Sequence, residues 1–141
     1  MINDGLKMTG AVAIALNGEV VQEIPNLVVT AGKNFVASRM KDTTKAAMTH
    51  MAIGTNNTTA AVGQTALSAE VTRGALTSTT VSNNTIAYVE TFAAGTGTGA
   101  IVEAGVFNAS SSGDMLCRTT FAVVNKGSAD AMTITWTITV S

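Results

Sequence analysis

The chain has one histidine, His50, and one cysteine, Cys117, so imidazole or thiol chemistry must pass through them. A Ser-His-Asp or Cys-His pairing would have to use His50, and no serine sits in a G-x-S-x-G turn. Cys117 lies between Leu116 and Arg118 in an apolar stretch and reads as an inert, buried thiol. His50 reads as a partly buried strand residue. A metal site would need both residues together with carboxylates, and Asp4, Asp42, Asp114 and Asp130 fall in loops without calcium-site spacing. No metal and no cofactor are expected.

Two further patterns could carry chemistry. Gly95-Thr96-Gly97-Thr98-Gly99 is glycine-rich, but its G-x-G-x-G spacing leads into Ala100-Ile101-Val102 instead of a helix. Dinucleotide and phosphate loops need a helix N-terminus at that point, so the segment reads as a strand connection. Glu90 and Glu103 are the remaining route to hydrolysis. Glu103 shares a predicted face with Ile101, Gly105 and Phe107, and a buried acid must be paired or hold its proton. An ion pair to Arg73 or Arg118 is expected in preference to catalysis. These residues do not point to an enzyme.

The elements that must position these groups belong to one chain of 141 residues, 46% hydrophobic, 12% charged and 4% aromatic. That length suits a single domain over residues 1–141, large enough for a core without disulfides. Eight Lys+Arg against nine Asp+Glu leave no cationic surplus for nucleic acid, and the aromatics are scattered without basic interleaving. No apolar run approaches the ~18–20 residues of a membrane helix. Met1-Ile2-Asn3-Asp4-Gly5 lacks the order of a signal peptide, so a start in the cytosol is expected. A neutral, Thr-rich surface costs little to desolvate and favours a subunit of an assembly.

Periodicity predicts a mainly β chain. Val12, Ile14 and Leu16 alternate up to Asn17-Gly18, the strongest short-range hairpin signal, and Glu19–Ile24 returns. Leu27-Val28-Val29 starts another strand. Thr30 can cap a helix over 31–40, with Phe35, Val36, Arg39 and Met40 at helical spacing. Strands follow over 46–53, 70–81, 85–92, 100–107 and 115–124, with loops at Gly54–Gln64 and Ala93–Gly99. In the last strand Met132, Ile134, Trp136, Ile138 and Val140 alternate with Thr133, Thr135, Thr137 and Thr139, so one face packs a core. The expected fold is an antiparallel β-sandwich of about eight or nine strands with one short helix.

Four pieces carry a resemblance: Met51-Ala52-Ile53-Gly54; Thr65-Ala66-Leu67 with Glu70-Val71-Thr72-Arg73; Glu103-Ala104-Gly105-Val106-Phe107-Asn108; and Gly113-Asp114-Met115-Leu116-Cys117-Arg118. In order and spacing, residues from about 50 to 141 resemble the N-terminal domain of tail-collar fibre proteins of tailed bacteriophages. Residues 1–45, a hairpin, strand and helix, match less clearly. The resemblance implies that Glu70, Arg73, Glu103 and Arg118 matter to the fold or to assembly. It also implies a non-enzymatic virion protein at a tail or fibre attachment site. A chain ending at Ser141 carries no fibre shaft, so an adaptor or docking role is expected.

The expected partners are other virion proteins (tail, portal-proximal or capsid subunits) and further copies of the chain, a trimer being one option, with no nucleic acid and no membrane. The Thr-rich last strand lacks charge and proline, which places subunit contact on its edge and on Thr135 and Thr137. The Gly54–Gln64 and Ala93–Gly99 loops are expected to be flexible and to adapt to neighbours. Two alternatives remain open: a capsid decoration protein that clamps with residues 1–45, and a carbohydrate-binding module using Tyr88 or Trp136 for stacking.

Overall fold

The computed structural model describes residues 5–41 and 45–141, which leaves Asp4 and Asp42 outside the described residues. Strand β1 (Met8–Leu16) turns through Asn17 and Gly18, both at positive φ, into β2 (Glu19–Pro25). That is the turn Asn-Gly favours, because both central residues accept the left-handed region. β3 (Leu27–Val28) precedes helix α1 (Thr30–Lys41), and then come β4 (His50–Gly54), β5 (Glu70–Ala75), β6 (Ser78–Ser82) and β7 (Thr85–Phe92). β8 (Gly99–Phe107), β9 (Met115–Lys126) and β10 (Met132–Val140) complete ten strands among the described residues.

They form two antiparallel five-strand sheets with orders β2-β1-β10-β7-β6 and β3-β9-β8-β4-β5. The β-sandwich is therefore as expected, with one short helix. Its core is the set of alternating residues that the sequence displays: Val12, Ile14, Met132, Ile134, Trp136 and Ile138 from one sheet meet Met51, Ile53, Ala104 and Val106 from the other. β1 pairs along its whole length with β10, from Met8 opposite Val140 to Leu16 opposite Met132. The β1–β2 hairpin is thus integral to the first sheet, and β3 to the second.

Three expectations on local structure are corrected. The extended run over 70–81 is two strands, because the chain leaves one sheet after Ala75 and enters the other at Ser78. Leu76 and Thr77 make that crossing, donating backbone N–H bonds to Thr49 and Val89. The run over 46–53 is paired only from His50. Helix α1 buries Gly32 and Phe35 alone, leaving Met40 83% exposed, so its apolar stripe is narrower than helical spacing suggested.

A fourth correction bears on function. β10 lies between β1 and β7 with both of its edges hydrogen-bonded, so it offers no edge to a partner. Thr135 and Thr137 remain on its outward face, beside Ala11, Ala13 and Glu23 in a shallow depression.

Candidate functional site

Glu103 and Arg118 stand on neighbouring strands β8 and β9 and point away from the main core, onto the outer face of their sheet. Register sets this direction: Glu103 is level with Gly54, and Arg118 with Gly105, on the face that also carries Ala52 and Phe107. Arg118 Nη2 lies 3.0 Å and Nε 3.3 Å from Glu103 Oε1, and both side chains are fully buried. Of the two partners expected for Glu103, Arg118 is the one found.

The pair is buried by the loop between β4 and β5, which it also holds. Ser68 N–H donates to Glu103 Oε1 at 3.0 Å, and Ala69 N–H and Asn56 N–H donate to Oε2 at 2.9 and 3.0 Å. Arg118 Nη1 donates to the Thr58 carbonyl at 2.8 Å and to Gln64 Oε1 at 3.1 Å. A buried ion pair offsets its desolvation only when the remaining lone pairs and protons are also bonded, and here they are. The Gly54–Gln64 loop is therefore anchored across the sheet, which corrects the expectation of a flexible segment. Two glycines make this possible. A Cβ on Gly54 would collide with Glu103 and the Ala69 carbonyl, and one on Gly105 would press on Leu67.

Glu70 and Arg73 form a second tie on the same face. Arg73 Nη2 and Nε bond the Glu70 carboxylate at 2.7 and 3.0 Å. The guanidinium carbon lies 3.7 Å from the Phe107 ring centroid, a cation–π geometry. Arg73 Nη1 donates to the carbonyls of Ala109 and Ser112, so it holds the β8–β9 loop as Arg118 holds the β4–β5 loop. Beneath both ties Ala52, Leu67, Phe107 and Met115 make a small second core, joined by Val29 at the start of the helix. The structure thus brings together Glu70, Arg73, Glu103 and Arg118, while Thr135 and Thr137 lie on the other sheet.

Glu90 is remote from this network. It points into the sandwich from β7, where Oε1 accepts from Thr77 Oγ1 at 2.9 Å and from Thr91 N–H at 2.8 Å. Oε2 packs where a Cβ on Gly74 would stand. Glu90 and Glu103 therefore lie on opposite sides of the second sheet and do not flank one cleft. Cys117 is buried on the inner side of β9, and burial pushes its thiol up, away from thiolate character. His50 Nδ1 lies 2.7 Å from Thr49 Oγ1.

Tyr88 and Trp136 are both buried, as are Phe35, Phe92, Phe107 and Phe121, so neither ring stands at the surface to stack on a sugar. The loop over 93–98 receives a bond from Lys126 Nζ to the Ala93 carbonyl at 2.9 Å, from a lysine that is itself buried. Sequence patterns assign no role to Gln64 or Asn56, and they mark Gly54 and Gly105 without the close approach each allows. An acid at Glu103 followed two residues later by glycine was the one available sign that something must pass close over that face.

No protein-family model, curated protein or solved structure matches this chain.

Proposed function

We propose that this protein is a non-enzymatic structural subunit of a tailed-phage virion, acting at a tail or fibre attachment site and assembling with copies of itself. The observation that supports this reading is the division of labour between the two sheets. On one outer face the chemistry-bearing side chains Glu70, Arg73, Glu103 and Arg118 are consumed in holding loops. On the other outer face β10 presents Thr133, Thr135, Thr137 and Thr139 beside the alanines of β1. Surface of this kind carries no charge to desolvate, and its hydroxyls can be bonded by a neighbour, which suits extended contact. The resemblance of residues 50–141 to collar-fibre N-terminal domains supplies the virion context.

A capsid decoration role is favoured by a different feature. At the β1–β2 hairpin Val20 is 56% exposed and Val21 is also exposed, next to a bulge in β9 that leaves Val123 52% exposed. An apolar hairpin tip is suited to clamping. Quantitative mass spectrometry of purified particles tests both readings. A few to a few tens of copies supports the tail role, a number near that of the major capsid protein supports decoration, and absence from the particle overturns both.

A further inference from the structure

We infer that β6 is a self-association edge, along which a second copy of this chain pairs antiparallel about a two-fold axis through Thr80. The four outer strands of the sandwich are β2 and β6 in one sheet and β3 and β5 in the other. Exposed edges in soluble proteins are blunted by charge, by proline or by extreme shortness. β2 carries Glu19, Glu23 and Pro25, β5 carries Glu70 and Arg73, and β3 is two residues long. β6 reads Ser78-Thr79-Thr80-Val81-Ser82, with no charge and no proline, and all five residues are exposed. It is the one edge of the described sandwich without such a device.

The sequence of β6 also fits itself. Centred on Thr80, an antiparallel pair sets Ser78 opposite Ser82 of the second copy, Thr79 opposite Val81, and Thr80 opposite Thr80. Cross-strand neighbours share a face, so one face of the joint would be a ladder of Ser and Thr hydroxyls. The other would gather Thr79 and Val81 from both copies. That second face is where the molecule is apolar: Val81 stands level with Ile86, and 69% of its surface is exposed. A shallow groove there runs from Val81 past Ile86 to Ile138 and Val140. Pairing would cover Val81 and join the β6-bearing sheet of each copy into one continuous sheet across the axis, an isologous contact. With no charge in the strand, no like charges face each other along the joint.

The inference deepens the assembly reading by naming the strand and the register. It rests on that reading only for where the pair is used, because the pairing is measured on the purified chain. Sedimentation velocity across a concentration series should show wild type passing from monomer to dimer. T80K and T80E should each dimerise about tenfold more weakly, since like charges then face each other on the axis, and an equimolar mixture of the two should recover the dimer. T80C should form a disulfide dimer under mild oxidation, because Cα atoms of directly opposed residues stand about 4.5–5.5 Å apart, within disulfide range. T79C should not, since Thr79 faces Val81, and buried Cys117 cannot substitute for it. Wild type that stays monomeric, with T80C cross-linking no faster than T79C, would overturn the inference. It would leave the virion reading to the copy-number measurement.

Discussion

Arg118 Nη2 lies 3.0 Å from Glu103 Oε1 on the outer face of a sheet, and neither side chain has any exposed surface. A charged pair in that position is buried by what it binds. The backbone of residues 56–69 supplies three N–H donors and two carbonyls to the pair, and in return that backbone covers it. The ion pair and the loop are therefore one cooperative unit.

Arg118→Leu should cost about 3–5 kcal/mol in urea unfolding, because it leaves the Glu103 carboxylate buried without its cation. The same variant should raise hydrogen exchange at Ser68 and Ala69 while β1 and β10 stay protected. Uniform loss of protection would show instead that the loop is not a separate unit. Glu103→Gln keeps the shape but leaves Arg118 buried without its anion and sets an amide donor against N–H groups, so it should cost a comparable amount.

Gly32→Ala should destabilise the fold by about 1–3 kcal/mol although alanine favours helices, because its Cβ would meet the Leu116 carbonyl. Gly5→Ala has open space and should leave the unfolding midpoint unchanged. Equal midpoints for both variants would place the helix further from β9 than the structure has it.

Stability should fall as pH rises through the alkaline range. Burial pushes the Tyr88 hydroxyl up to about 12 and also raises the Cys117 thiol, so the folded state keeps protons that the unfolded chain releases. Above the ordinary thiol and phenol values the unfolded chain binds fewer protons, and the slope of unfolding free energy with pH becomes negative. Unfolding free energy should be flat from neutral pH to the ordinary thiol range and decline from there to about pH 12. Cys117→Ala and Tyr88→Phe should each flatten part of that decline. In the native protein Cys117 should resist Ellman's reagent at pH 8 and react fully in denaturant.

Thr135→Lys with Thr137→Lys should change the unfolding free energy by no more than about 1 kcal/mol, since both half-buried side chains lie on the outward face of β10. If that face meets a neighbour, incorporation into particles should drop at unchanged solubility. Unchanged incorporation would remove the face from the interface.

The strands were legible wherever one face is buried, because alternation with period two is a direct record of a half-buried sheet. Met132 to Val140 and the Asn17-Gly18 turn could be read residue by residue for that reason. Glu103 also announced its need for a cation, since a strand pattern that buries a carboxylate demands one. What local pattern could not contain is pairing between distant segments. Tertiary structure alone chose Arg118 over Arg73, split the run over 70–81 between two sheets, and put β10 in the middle of one and β6 at its edge. It also turned a Gly/Thr/Asn loop into an anchored cover, because the groups that hold it lie 34 to 62 residues away along the chain. Sequence recorded which residues seek burial and which need a partner; the order of strands in the sheets decided which partner each one meets.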